Sequence, residues 1–304
     1  MDSDSQVDNQ AFTQFLGNLI NEQLDDPARL WLKQKLDLIT SKVELKDLYL
    51  TFSAIPRFLG KQTLEVSADY LQVAQTLRKG LHIKGWTIPQ AARVLTICSY
   101  PFQDEQSFVK IMDQLFSAAE VTELVALYSA LPVLPYPEAL KARASEGVRT
   151  NMSVVFDAVV LNNPYPSEYL EEGAWNQMVL KALFMGRPMY QIYGLEHRSN
   201  LSLSKMISDF AHERWVAGRP TSPEMWRPIG TEGTISIYQD LEHLLTQEDS
   251  DQHAAAVLAA RALNTREAQA FLDQHQSVVD QVTEQGTTWD DIGIRWWIKE
   301  QQNN

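Results

Sequence analysis

Asp209, His212 and Glu213 stand at i, i+3 and i+4 of one apolar-periodic segment, a spacing that brings all three to one side of a helix. Carboxylates beside an imidazole suit acid–base work or a metal ion, and Glu196 and His197 lie upstream as further ligand types. The wider metal pattern is missing. The chain has neither the second Glu-x-x-His of di-iron carboxylate bundles nor His-Glu-x-x-His. His212 also falls opposite the apolar face of its segment, which fits an exposed histidine equally well. Lys181 poses a similar choice. Its segment carries Trp175, Met178, Val179, Ala182 and Leu183 on one side, with Leu180 and Phe184 beyond, so little of the circumference is polar. A lysine there snorkels outward, pairs with a carboxylate, or is desolvated enough to act as a base or Schiff-base nucleophile.

Arginine is concentrated in the same region: seven of the fourteen fall between Arg143 and Arg227. At 100° per residue, Arg214 lies near the middle of the apolar face made by Leu203, Met206, Ile207, Phe210 and Ala217. In the helix expected over 149–161, Arg149 lies on the face made by Met152, Val155, Phe156, Val159 and Val160. The pattern predicts that both guanidinium groups point inward. An isolated buried charge is too costly to keep, so each needs a carboxylate, helix-end carbonyls or an anionic ligand. Glu146, Asp157, Glu196, Asp209 and Glu213 are the acids available for an ion-pair network, and a planar bidentate arginine equally suits a bound anion. Tyr165, Trp175, Trp215 and Trp226 either pack the core or line a pocket for a flat ligand.

The elements that must position these groups are helices. Helical periodicity runs through most of the chain and strand alternation is nearly absent. Asp26 with Pro27 marks one helix start, and Thr87 with Gln90 has capping-box spacing. Helices are expected over 149–161, 175–185 and 203–217, with asparagines 151, 162, 163, 176 and 200 serving helix ends and loops. The run Ala254 to Ala260 lets helices pack closely, although no fixed period holds across three units. The predicted fold is all-α: an irregular stack of antiparallel helix pairs, α-solenoid-like, with a tail resembling HEAT or TPR repeats.

Composition excludes several functions. The net charge of −13 argues against nucleic-acid binding, and the imbalance concentrates from Pro228 onward, with 13 acidic against 4 basic residues. A single Cys98, in an apolar run, rules out an internal disulfide and a zinc site of several thiolates. No Walker loop, Gly-x-Gly-x-x-Gly or Gly-x-Ser-x-Gly is present, and no cofactor is expected. The acidic start is unlike a signal peptide and no apolar run approaches the roughly 20 residues that span a bilayer, so a cytoplasmic address with no direct membrane span is expected.

Taken together, Arg149-Thr-Asn-Met152, Asn163-Pro-Tyr-Pro166, Trp175-Asn-Gln-Met-Val-Leu-Lys-Ala-Leu-Phe184, Arg198-Ser-Asn200 and Ala211-His-Glu-Arg-Trp215 resemble the EboA family of bacteria and algal plastids. The likeness is strongest over 86–227, which sets the expected organisation: a weakly matching helical region over 1–85, the core over 86–227, and an acidic Ala-rich tail over 228–304, packed as one continuous unit. Glu196 stands where the family pattern has an aspartate, a change that keeps the charge. The resemblance implies context rather than a reaction: genes beside a UbiA-like prenyltransferase and other enzymes of a small-molecule pathway, including export of scytonemin precursors. It implies an accessory protein that binds a prenylated or indole- or phenol-type metabolite, or a pathway enzyme such as the prenyltransferase, through 147–227. The family-like polar residues Arg149, Asn151, Asn176, Lys181, Arg198, Asn200, Arg214 and Arg227 are the ligand-binding candidates. The alternative is an enzyme acting on an anionic or prenylated metabolite through Lys181, Asp209, His212 and Glu213.

Overall fold

Side chains that start helices recur along the chain. Asp25, Ser67, Thr87, Asp104, Asn200, Asp249 and Thr265 each accept a backbone N–H from the turn that follows, satisfying donors that a helix leaves orphaned. The computed structural model describes residues 9–230 and 235–303, and among them are 17 α-helices and no strand. The fold is all-α. Among the described residues no helix is long and apolar enough to cross a membrane. The chain divides into two compact units, Met1–Leu170 and Glu171–Asn304.

The first unit holds α1 (Asn9–Asn21), α2 (Asp26–Ser41), α3 (Leu45–Leu59), α4 (Ala68–Leu77), α5 (Ile88–Cys98), α6 (Glu105–Ala118), α7 (Val121–Ala130), α8 (Lys141–Arg149), α9 (Ser153–Val160) and α10 (Tyr165–Tyr169). Its hub is α5, which packs on α1, α3 and α7, while α7 packs on α9. Nine of the eleven residues of α5 are buried, as expected of a helix that is apolar on nearly every side. Each fully buried Leu or Ile there contributes roughly 1.5–3 kcal/mol. Gly147 in α8 makes a close approach possible: a Cβ at that position would come within 2.6 Å of the Tyr128 ring and 2.7 Å of Val159. Burial pushes the Cys98 thiol up to about 12, which keeps it protonated and unreactive.

Three local details differ from the sequence reading. The cap of α2 is Asp25 rather than Asp26, and it accepts from the Ala28 N–H at 2.9 Å. Thr87 caps α5, but the Gln90 amide reaches across to the Ser129 hydroxyl at 2.9 Å instead of back to the cap. The helix expected over 149–161 is two helices: the chain leaves α8 through an extended Thr150 and restarts at Ser153.

The second unit holds α11 (Glu172–Phe184), α12 (Leu201–Val216), α13 (Ile235–Leu245), α14 (Ser250–Ala262), α15 (Arg266–Gln274), α16 (Gln276–Gln285) and α17 (Trp289–Asn303). Its hub is α14, whose Ala254, Ala255, Ala256, Ala259 and Ala260 are all buried, and these small side chains admit α13, α15, α16 and α17 around one helix. A short 3₁₀ turn over Pro223–Trp226 packs between α14 and α17.

Candidate functional site

The expectation of two inward arginines fails for Arg149 and holds only in part for Arg214. Arg149 is the last residue of α8 and is exposed, because a wheel drawn through 149–161 crosses a break in the helix. Arg214 is half-buried. The buried face of α12 is Leu203, Ser204, Ile207, Ser208 and Ala211, which leaves Arg214 at its edge. Its Nε donates to the Pro220 carbonyl at 2.8 Å and its guanidinium lies 5.8 Å from the Phe210 ring centroid. Among the described residues no carboxylate pairs with it. The arginine buried deepest in the first unit is instead Arg93, 2% exposed in the middle of α5. It donates to the Phe52 carbonyl at 3.1 Å and the Thr122 hydroxyl at 2.9 Å, with Glu123 at 3.5 Å. Arg78, also buried, forks onto Glu168 and donates to the Pro132 carbonyl at 2.8 Å.

The acid–base set does not gather. Asp209 and Glu213 are exposed, and His212 turns to Asp240 of α13, with Nε2 at 2.5 Å from its carboxylate. Asp240 is buried and also accepts from the Ser208 hydroxyl at 2.6 Å. Among the described residues no group of three or more His, Cys, Asp or Glu side chains is arranged to hold a metal ion. Lys181 is half-buried on α11, and burial lowers its ammonium below the usual range.

Asn176 and Asn200 exchange two amide hydrogen bonds, at 3.1 and 2.9 Å. Asn200 also caps α12 by accepting from the Leu203 N–H at 2.8 Å and donates to the Arg198 carbonyl at 3.1 Å. Both its donors and both its lone pairs are thereby used, so this pair ties α11 to the start of α12 and leaves Asn200 no capacity for a ligand. Asn163 likewise bridges the Tyr128 and Ala158 carbonyls and accepts from Tyr165, whereas Asn151 is exposed in the break after α8. Arg198 lies over the buried Trp175 ring at 5.2 Å; burial lowers its guanidinium, opposed by Glu172 and Glu171. Tyr165, Trp175 and Trp226 are core residues, and the half-buried Trp215 stacks on Trp226 at 6.0 Å.

Arg227 collects three acids: Glu196 at 3.1 Å, Glu224 at 3.3 Å and Asp290 of α17 at 2.7 Å. Burial pulls this guanidinium down, but Glu196 and Asp290 outweigh it and hold it above its ordinary value. Glu224 is 2% exposed, and its carboxyl sits directly under Gly293 of α17, where a Cβ would come within 2.2 Å of it. Burial pushes that carboxyl up to about 8, even though Arg227 and the Tyr190 backbone N–H favour its charged form.

Next to Glu224 the second unit contains a cavity of about 150 Å3. Phe210 and Arg214 of α12 and Trp296 and Trp297 of α17 line it, together with Arg187 and Met189. The lining mixes aromatic rings and methionines with four charged side chains, a combination that can both hold and orient a small molecule. Of the proposed ligand-binding residues only Arg214 lines it. The sequence reading passed over Glu224, Trp296 and Trp297, although Gly293 followed by a Trp-Trp pair inside a helix signals a close approach and a thick aromatic wall.

A family model for EboA, described as metabolite traffic protein EboA, matches residues 12–230. The chain belongs to the EboA family. Neither the curated proteins nor the solved structures yield a match. In this EboA chain α13 to α17 lie beyond the matched residues, so the cavity lining combines residues inside the matched span, such as Phe210, Arg214 and Glu224, with residues of the C-terminal helix.

Proposed function

We propose that this EboA protein is a non-catalytic accessory protein of the cytoplasm that binds a small metabolite in the cavity of its second unit and passes it within a biosynthesis or export pathway. The observation that carries the reading is the cavity itself, an aromatic and sulfur-lined space of about 150 Å3 with arginines at its wall, in a family described by metabolite traffic. Delivery to a membrane enzyme such as a UbiA-like prenyltransferase fits a chain that holds a ligand in a small, partly open site. The acid–base candidates support this rather than turnover: Asp209 and Glu213 face solvent and His212 is committed to Asp240. The test is native purification from a producing host followed by mass spectrometry of whatever the protein releases on denaturation. A near-stoichiometric metabolite that disappears from Trp297→Ala is the expected result. Protein that arrives empty from cells making the pathway product sinks the reading.

A further inference from the structure

Resting on the binding role proposed above, we infer that the cavity takes a small planar aromatic acid, its ring against Phe210, Trp296 and Trp297 and its carboxylate on Arg214. Size is the first argument. About 150 Å3 accommodates a benzene-sized group and little more. Sites that enclose a whole drug-sized molecule run to roughly 300–1,000 Å3. A long alkyl or prenyl chain is therefore not enclosed; a ring substituent would leave past Phe184, which lines the cavity and is 79% exposed. The walls are the second argument. Flat aromatic faces and the thioethers of Met189 and Met225 favour a planar ring over an aliphatic group of the same volume.

Charge is the third. Arg78, Arg93, Arg143 and Arg227 each have a carboxylate partner, whereas the half-buried Arg214 spends only Nε on the Pro220 carbonyl. A guanidinium at a cavity wall with no acid of its own is complemented by an incoming carboxylate, which can accept from two N–H groups at once. The remaining charges do not oppose this. Arg187, Arg214, Glu224 and Glu300 all line the cavity, and Glu224 is largely protonated at neutral pH because burial holds it up to about 8. The lining is then net positive.

Three probes of equal size separate the arguments: benzoate, benzamide and cyclohexanecarboxylate, titrated into the full chain and followed by the indole N–H resonances of Trp296 and Trp297. Trp296→Phe and Trp297→Phe assign the two signals. Benzoate should shift both saturably, with an affinity at least tenfold above either comparator. Arg214→Gln should bring benzoate down to the level of benzamide without altering the remaining spectrum. Benzamide binding as tightly as benzoate overturns the acid, and cyclohexanecarboxylate binding as tightly overturns the ring; either leaves the cavity as a binding site. No shift with any probe, in protein that still releases a metabolite lost in Trp297→Ala, overturns the ligand class alone. No shift and no released metabolite overturns the binding role as well. If Arg214→Gln does not fold, the three-probe comparison on the unaltered protein still decides.

Discussion

Among the described residues of the first unit, the buried charges are the cations Arg78 and Arg93 and one acid, Glu123, which is Arg93's own partner. Arg93 meets a carbonyl, a hydroxyl and Glu123, and Arg78 meets a carbonyl and both oxygens of Glu168, so each sits in a closed network inside the core. Among the described residues of the second unit, the deeply buried ionisable groups are two acids, Glu224 and Asp240. Glu224 shares Arg227 with Glu196 and Asp290, and Asp240 relies on Ser208 and the half-exposed His212. One unit neutralises its charge internally. The other keeps an acid neutral by burial and leaves the cation Arg214 facing a cavity. Closed networks hold a scaffold together; open ones leave interaction capacity for something that arrives later. The difference separates the part of this EboA chain that supports from the part proposed to bind.

The sharpest way to break that comparison is Arg93→Met. Removing the cation strands Glu123 in the core and leaves the Phe52 carbonyl unpaired, which should cost about 3–5 kcal/mol in denaturant unfolding. A loss under about 1 kcal/mol would mean the network is ornamental, since that is the scale of an exposed ion pair.

Next is the pH dependence set by Glu224. Its folded value, about 8, lies above the ordinary carboxyl value of 4.5, so the native state holds the proton more tightly than the unfolded chain. Its contribution is full below pH 4.5 and is lost as pH rises through about 8. At about 1.4 kcal/mol per pKa unit the loss is on the order of a few kcal/mol. Glu224→Gln should flatten the decline between pH 5 and 8 and make the variant the more stable protein above pH 8. Parallel stability–pH curves for the two proteins would place the proton elsewhere.

Much of the scaffold was legible in the sequence because it follows from local rules. Thr87, Asn200 and Thr265 cap the helices they precede, and the alanines of α14 do form a crowded packing surface. Arg149 was misread, and Arg214 placed only in part, for a physical reason. A helical wheel assumes one continuous helix, and three residues at 150–152 interrupt it; it also cannot tell the centre of a buried face from its edge, where Arg214 lies. Arg93 was readable: in Ile88–Cys98 hardly any other residue is polar, so the helix has no wet side for it. The cavity was not readable, because Arg214 and Trp297 are far apart in the chain and only the packing of α17 over Glu224 brings them to one space.

A smaller effect is expected from Gly147→Ala in the scaffold. The added methyl has nowhere to go between the Tyr128 ring and Val159, and overpacking of this kind costs about 1–3 kcal/mol. A thermal melt matching that of the unaltered protein would show that α8 can slide outward, and the first unit would be less rigid than its closed networks suggest.

The smallest effect distinguishes a binding arginine from a supporting one. Arg214→Gln removes one hydrogen bond to the Pro220 carbonyl and a partly solvated contact with Phe210, and strands no acid. Such a bond is worth about 0.5–1.5 kcal/mol when fully formed in the interior, and less at a half-exposed site, so the expected loss is under about 1 kcal/mol. Arg149→Gln, at an exposed helix end, should cost no more than about 0.5 kcal/mol. Both are read by the same denaturant curves as Arg93→Met, which makes the three directly comparable. If Arg214→Gln falls as far as Arg93→Met, the cavity arginine supports the fold, and the distinction drawn between the two units fails. If it falls little, the guanidinium is held in place at a cost the fold does not need, which is the expected behaviour of a group kept for a ligand.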